Sequence, residues 1–195
     1  MQVLQEKKTN TGKRLVPAKP TTVAEFERWQ ARKRTDNNYE FYCGEIIKKE
    51  GMKQLEGLMI NYLLRCFIQS KGFEEGGLLT SEMEVYIDAF RKRIPNLSYF
   101  TRPQLVEAAK GIKVIPAFVI EILSENETLR HVERKVKDYF DAKVELVWYV
   151  LPESKRIYAY TSTTQIAIYS PGETIAALSV LADFVIDMDK LFATE

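Results

Sequence analysis

The sequence of 195 residues predicts a mixed α/β fold, of the α+β kind, in which a mixed β-sheet is flanked by helices. Three observations carry this prediction. Short runs with strand-like alternation recur between stretches with helical periodicity. The run at 117–123 (AFVIEIL) is almost continuously apolar, as a buried central strand requires. No repeat, low-complexity block or linker interrupts residues 21–195, which are expected to fold as a single domain behind a flexible basic arm at 1–20.

The elements follow in order. The arm holds Lys7, Lys8, Lys13, Arg14 and Lys19 against one acid, Glu6. Residues 22–33 are helical, with Phe26 and Trp29 three apart and Thr21 or Thr22 forming a capping box with Glu25. Residues 39–47 alternate as a hairpin around Gly44. A strong helix spans 52–71, with Leu55, Leu58, Met59, Tyr62, Leu63 and Cys66 as its buried stripe, and Gly72 and Gly76-Gly77 end it. Strands are expected at 81–87 and 94–100, separated by Arg91-Lys92-Arg93 in a solvated turn, with phosphate contact as the alternative for these three. A connector with a short helix leads to the strand at 117–123. Ser124 and Glu127 fit a capping box for a helix reaching about Lys143, with Val132, Val136, Tyr139 and Phe140 buried. Strands at 146–151, 156–161 and 165–169 come next, and the tail carries Phe184, Val185, Ile186 and Leu191-Phe192.

Composition excludes several classes. The net charge of +1 gives no chain-wide basic field for nucleic acid, so any such site is local or uses metal ions to meet phosphate. Cys43 and Cys66 lie far apart and are expected as buried free thiols. With His131 the one histidine and no cysteine cluster, a structural zinc site is not expected. No apolar run approaches the roughly 18 residues that span a bilayer, and no signal-peptide core is visible, so a cytoplasmic protein is expected.

Glu121 is the residue that needs explaining. It lies inside the apolar run, and burying an ionised carboxylate is costly without a cation or hydrogen bonds. Either it holds a structural partner or it faces a site that binds something positive. Lys135, on the border of the following helix's buried stripe, can bring an ammonium to it along an apolar stem, and Tyr139 stands one turn on. Asn96, just after Pro95 at a strand start, could converge with Glu121 if the two strands pair. A carboxylate, a second oxygen ligand and a lysine make the protein side of a magnesium site for phosphodiester hydrolysis. Taken alone, each residue also has a structural reading: a salt-bridged acid, a flanking lysine, a turn asparagine.

The combination resembles the Uma-type restriction endonucleases, a branch of the PD-(D/E)XK nuclease superfamily. The matching pieces are Tyr39-Glu40 with Gly44-Glu45, Pro95-Asn96, Glu121-Ile122-Leu123-Ser124, Lys135 with Tyr139, Val147-Trp148-Tyr149-Val150 before Pro152, and Leu191-Phe192. The spacing from Ser124 to Trp148 needs no gap. The resemblance implies a restriction-endonuclease-like fold and a Mg2+- or Mn2+-dependent DNA endonuclease. Glu121, Lys135 and Glu40 would be its catalytic residues, with Glu121, Asn96 and the Ile122 carbonyl at the metal. DNA is the implied partner, and an edge strand with the apolar tail suits a homodimer. The chain departs from the pattern at Asn96, where the family has a metal-binding Asp, at the helix start with Lys53, Gln54 and Glu56 in place of a histidine, at Ser124-Glu125 in place of Ser-Pro, and near His131, where an acid is missing. These departures point to a weakened site. The alternative is an inactive nuclease-fold module that binds nucleic acid or a protein partner.

Overall fold

The computed structural model describes residues 19–33, 37–124 and 127–193; the expected basic arm lies outside them except for its last two residues. Helix α1 (Val23–Arg32) begins at Thr22, whose hydroxyl accepts from the Glu25 amide. The Glu25 carboxylate reaches back to Thr21, so the capping box is shared between two threonines. Strands β1 (Tyr39–Tyr42) and β2 (Glu45–Lys48) form the expected hairpin. Its two-residue turn is Cys43-Gly44, at positive φ of 45° and 86°, the geometry that suits a tight hairpin. Cys43 is therefore exposed and not buried, while Cys66 is half-buried; both are free thiols.

Helix α2 (Gln54–Ile68) is turned differently from its apolar pattern. Met59, Ile60, Leu63 and Phe67 face the core, whereas Leu55 and Leu58 are 42% and 57% exposed. The helix ends before the glycines, and a short α3 (Lys71–Glu74) starts at Ser70. Gly72 is buried inside it, where an added Cβ would stand 2.5 Å from Leu181. The glycine is kept by close packing rather than by chain termination.

The next segment departs most from expectation. In place of two strands around a solvated turn there are four short strands: β3 (Leu78–Ser81), β4 (Val85–Tyr86), β5 (Arg91–Arg93) and β6 (Leu97–Phe100). The basic triplet is itself a strand, lying between β1 and β4. Lys92 and Arg93 are 1% and 2% exposed, because buried acids pair with Arg93 and Glu84 pairs with Lys92. Helix α4 (Arg102–Ala109) occupies the connector.

Strand β7 (Phe118–Ile122) and strand β8 (Leu146–Leu151) are parallel, joined by helix α5 (Leu129–Asp141) as a crossover. The cap of α5 is Thr128 and not Ser124, which frees Glu127 from the capping role. Strands β9 (Arg156–Tyr160) and β10 (Ile166–Tyr169) complete a six-stranded sheet in the order β10-β9-β8-β7-β6-β3. A second sheet runs β2-β1-β5-β4. Strands β11 (Thr174–Ala177) and β12 (Leu181–Asp187) and helix α6 (Met188–Leu191) end the described chain.

Alternation along β7 divides the core. Phe118, Ile120 and Ile122 face α2 and the β11–β12 hairpin, together with Trp148 and Phe184. Val119 faces α5, with Val132, Val136, Tyr139, Val147 and Tyr149. Glu121 shares the period of Val119 and so points to the α5 side. Phe184, Ile186, Leu191 and Phe192 are consumed by this core, which leaves the edge strands, β10 and β3 of the six-stranded sheet among the described residues, as the ground for expecting a homodimer. No helix among the described residues is long and apolar enough to cross a membrane.

Candidate active site

The site is built at the end of β7 where the strand hands over to α5. Glu121 is 1% exposed. Val132, Val136 and Tyr139 anchor one face of α5 on the sheet, and the helical repeat then sets Lys135 and Tyr139 on neighbouring turns above Glu121. The Tyr139 hydroxyl donates to Glu121 Oε1 at 2.5 Å, and Lys135 Nζ lies 3.3 Å from the same oxygen. Burial, and then the Glu121 charge, push the Tyr139 hydroxyl well above its ordinary range, so it stays a donor.

Glu40 enters from β1 and touches both cations. Its Oε2 accepts from Arg93 Nη1 at 2.9 Å, its Oε1 from the Ile94 amide at 3.0 Å, and Lys135 Nζ is 3.9 Å away. Burial opposes its charge, but Lys135, Arg93 and the Ile94 amide together hold the carboxyl below the usual range. Arg93 also forks onto Asp138 Oδ2 at 2.6 and 2.8 Å, and Arg91 reaches Asp138 Oδ1 at 2.6 Å. The guanidinium groups of Arg93 and Arg134 both lie over the Tyr42 ring, at 5.1 and 4.4 Å.

A third carboxylate closes the group. Glu127, in the loop before α5, lies 3.4 Å from Lys135 Nζ. Burial and the nearby Glu121 raise its pKa against the pull of Lys135. Lys135 itself is displaced upward, because Glu121, Glu40 and Glu127 outweigh the cost of its burial. The ammonium is therefore fixed as a cation. These groups face a cavity of about 280 Å3, which Glu40, Asn96, Glu121, Ile122 and Lys135 all line. Lys48, Lys49 and Arg134 stand around it, as does the exposed His131.

Asn96 is brought beside Glu121, and its Oδ1 accepts from the Ile122 amide at 3.0 Å. It thus ties the approach to β6 to the end of β7. The donors offered to the cavity are oxygens: the Glu121 and Glu127 carboxylates and the Asn96 amide. That is the donor chemistry of magnesium and manganese, not of zinc. Among the described residues no three His, Cys, Asp or Glu side chains are arranged to hold an ion unaided. A hard cation suits these oxygens in kind, and Asn96 and Ile122 are the further residues lining the cavity beside Glu121.

Sequence reasoning missed Glu127 and the Arg93–Asp138 pair. Glu127 had an equally good local explanation as a helix cap. Asp138 carried a signal, since it lies three residues after Lys135 and so shares its side of the helix. Arg93 carried none, because a run of three basic residues ordinarily marks solvent.

A family model described as "Uma2: Putative restriction endonuclease" matches residues 23–189. The crystal structure described as that of "a putative nuclease belonging to DUF820" from Anabaena variabilis ATCC 29413 is similar in fold, with a TM-score of 0.76 at 16% identity. The alignment covers 89% of this chain and 98% of that one. No curated protein matches the chain.

Proposed function

The chain belongs to the Uma2 family, described as putative restriction endonucleases, and on that premise we propose that it is a metal-assisted DNA endonuclease of reduced activity. The observation that carries this reading is the Lys135 ammonium, held 3.3–3.9 Å from Glu121, Glu127 and Glu40 beside an open cavity. Arg93 balances Glu40, which leaves Glu121 and Glu127 against the one Lys135 ammonium, an excess of negative charge. A phosphodiester would be repelled there unless a divalent cation balanced it. Glu121, Asn96 and the Ile122 carbonyl would hold that cation, which when bound polarises the phosphate and acidifies water.

The chain's own groups do the rest. Lys48, Lys49 and Arg134 attract the DNA backbone to the cavity mouth. Lys135, fixed in its charged form, faces the scissile phosphate and stabilises negative charge as it develops. Glu40 positions Lys135, and Arg93 holds Glu40. Tyr139 orients Glu121 through its hydroxyl.

Asn96 is the reason for reduced activity. An amide oxygen brings no charge, and this one already accepts from Ile122. The same observation favours a second reading, a nuclease-fold module that binds DNA or a protein partner without cutting. Nicking of supercoiled plasmid with magnesium or manganese distinguishes the two. Slow cleavage that disappears in Glu121→Ala supports the enzyme. Retained cleavage in Glu121→Ala, or none in the native chain, rejects it.

A further inference from the structure

A second cavity, about 360 Å3, lies against the first and shares Glu56, Ser124 and Glu127 with it. Its character is different. Leu55, Leu123, Leu151 and Pro152 supply apolar walls, and Glu153 and Ser154 supply a polar edge. Leu123 follows Glu121 by two residues and Leu151 follows Tyr149 by two, and Glu121 and Tyr149 are register partners on β7 and β8. The apolar cavity therefore begins one pleat beyond Glu121, roughly 7 Å along the sheet. That offset is comparable to the reach from a backbone phosphate to its own base. The exposure of Leu55, an apolar side chain that the packing of α2 leaves out of the core, has an explanation if the residue is a wall of this cavity.

We propose that this cavity is a nucleobase subsite, which takes one unstacked base of a DNA strand whose phosphate lies at Lys135. The proposal rests on the endonuclease reading and deepens it. The leucines and the proline enclose the faces of the base, as apolar walls do for bases taken out of a stack. The Glu153 carboxylate accepts from an exocyclic amino group, so cytosine is favoured over thymine. A duplex with all its bases stacked cannot fill the cavity, so single strands and locally opened duplexes are the preferred substrates.

The test is fluorescence anisotropy in magnesium buffer, with strand integrity checked on a gel. Two labelled strands of equal length are compared, an oligodeoxycytidine and one of abasic residues, and a thymidine strand gauges the base preference. The native chain should bind the cytidine strand about tenfold tighter than the abasic one, the order of a single stacked base. Leu55→Asp should remove this preference and leave abasic binding little changed. Leu58→Asp should keep it, since Leu58 is exposed on the same helix and does not line the cavity. Equal binding of the two strands by the native chain, or an intact preference in Leu55→Asp, overturns the subsite while leaving the endonuclease reading standing. If neither strand binds, the DNA reading fails and the subsite fails with it.

Discussion

Arg93 and Lys135 both face Glu40, yet they serve different ends. Arg93 borders the same cavity as Lys135 but is closed off from it: it is 2% exposed, and its guanidinium is bonded at 2.6–2.9 Å to Glu40 and Asp138. Lys135 stands farther from its partners, at 3.3–3.9 Å from three carboxylates, with an open cavity before it. A planar fork suits a closed, bidentate arrangement, whereas a point charge on a flexible stem can be shared and redirected. The same pair of chemistries is thus used once to hold the β1–β5–α5 junction and once to present a charge. Glu40 joins the two, so the fixed pair positions the presented one.

The comparison breaks most sharply in stability. Arg93→Met should cost about 3–5 kcal/mol, because it takes the shared guanidinium from two buried carboxylates and leaves Glu40 only Lys135 and the Ile94 amide, and Asp138 only Arg91. Urea unfolding measures this. A loss no larger than that of an exposed pair would show that the junction is not sealed. Tyr139→Phe comes next, at about 1–3 kcal/mol, since Glu121 loses the hydroxyl that donates to it. Lys135→Gln should cost a similar or smaller amount, about 1–3 kcal/mol, because the Gln amide can still donate to a carboxylate and Tyr139 still donates to Glu121, but should lower the nicking rate by about 100-fold or more. Comparable stability losses for Arg93→Met and Lys135→Gln would erase the distinction drawn between them.

Acid titration sharpens the same contrast. The folded pKa of Glu40 is depressed, so its contribution is present above the ordinary value of 4.5 and lost as pH falls through the lower folded value. Glu127 has the opposite sign: its folded pKa is raised, so its charged form opposes folding as pH climbs above 4.5. Glu40→Gln should therefore flatten the acid limb of the stability curve. Glu127→Gln should leave stability at pH 7 unchanged or higher by up to about 1 kcal/mol. Thermal melts from pH 3 to pH 7 separate the two, and a strong destabilisation at neutral pH by Glu127→Gln would contradict the assignment.

Much of the fold was legible because burial and period coincide there. Residues 117–123, apart from Glu121, and residues 146–151 are apolar throughout and became the paired strands β7 and β8. Glu121 stood out against that background. Local patterns misled where tertiary pairing decides. Arg91, Lys92 and Arg93 resemble a surface turn until acids forty or more residues away in sequence neutralise two of them. Leu55 and Leu58 fit a helical stripe, but the rotation of α2 on the sheet follows Met59, Ile60, Leu63 and Phe67 instead. The β11–β12 hairpin, whose strands among the described residues pair with each other, was not legible as a hairpin, although Phe184, Val185 and Ile186 stood out: Ala176, Ala177 and Leu178 carry no clear alternation, and the ladder itself is irregular at Ala176 and Ala177.

The most direct test is the nicking rate of Asn96→Asp beside the native chain, with manganese binding followed by calorimetry in both. Asn96→Asp should bind manganese more tightly and cleave faster by at least about tenfold, with both gains lost when Glu121→Ala is added. If Asn96→Asp neither binds manganese nor cuts DNA while remaining folded, the cavity lined by Glu121 and Lys135 is not a cleavage site.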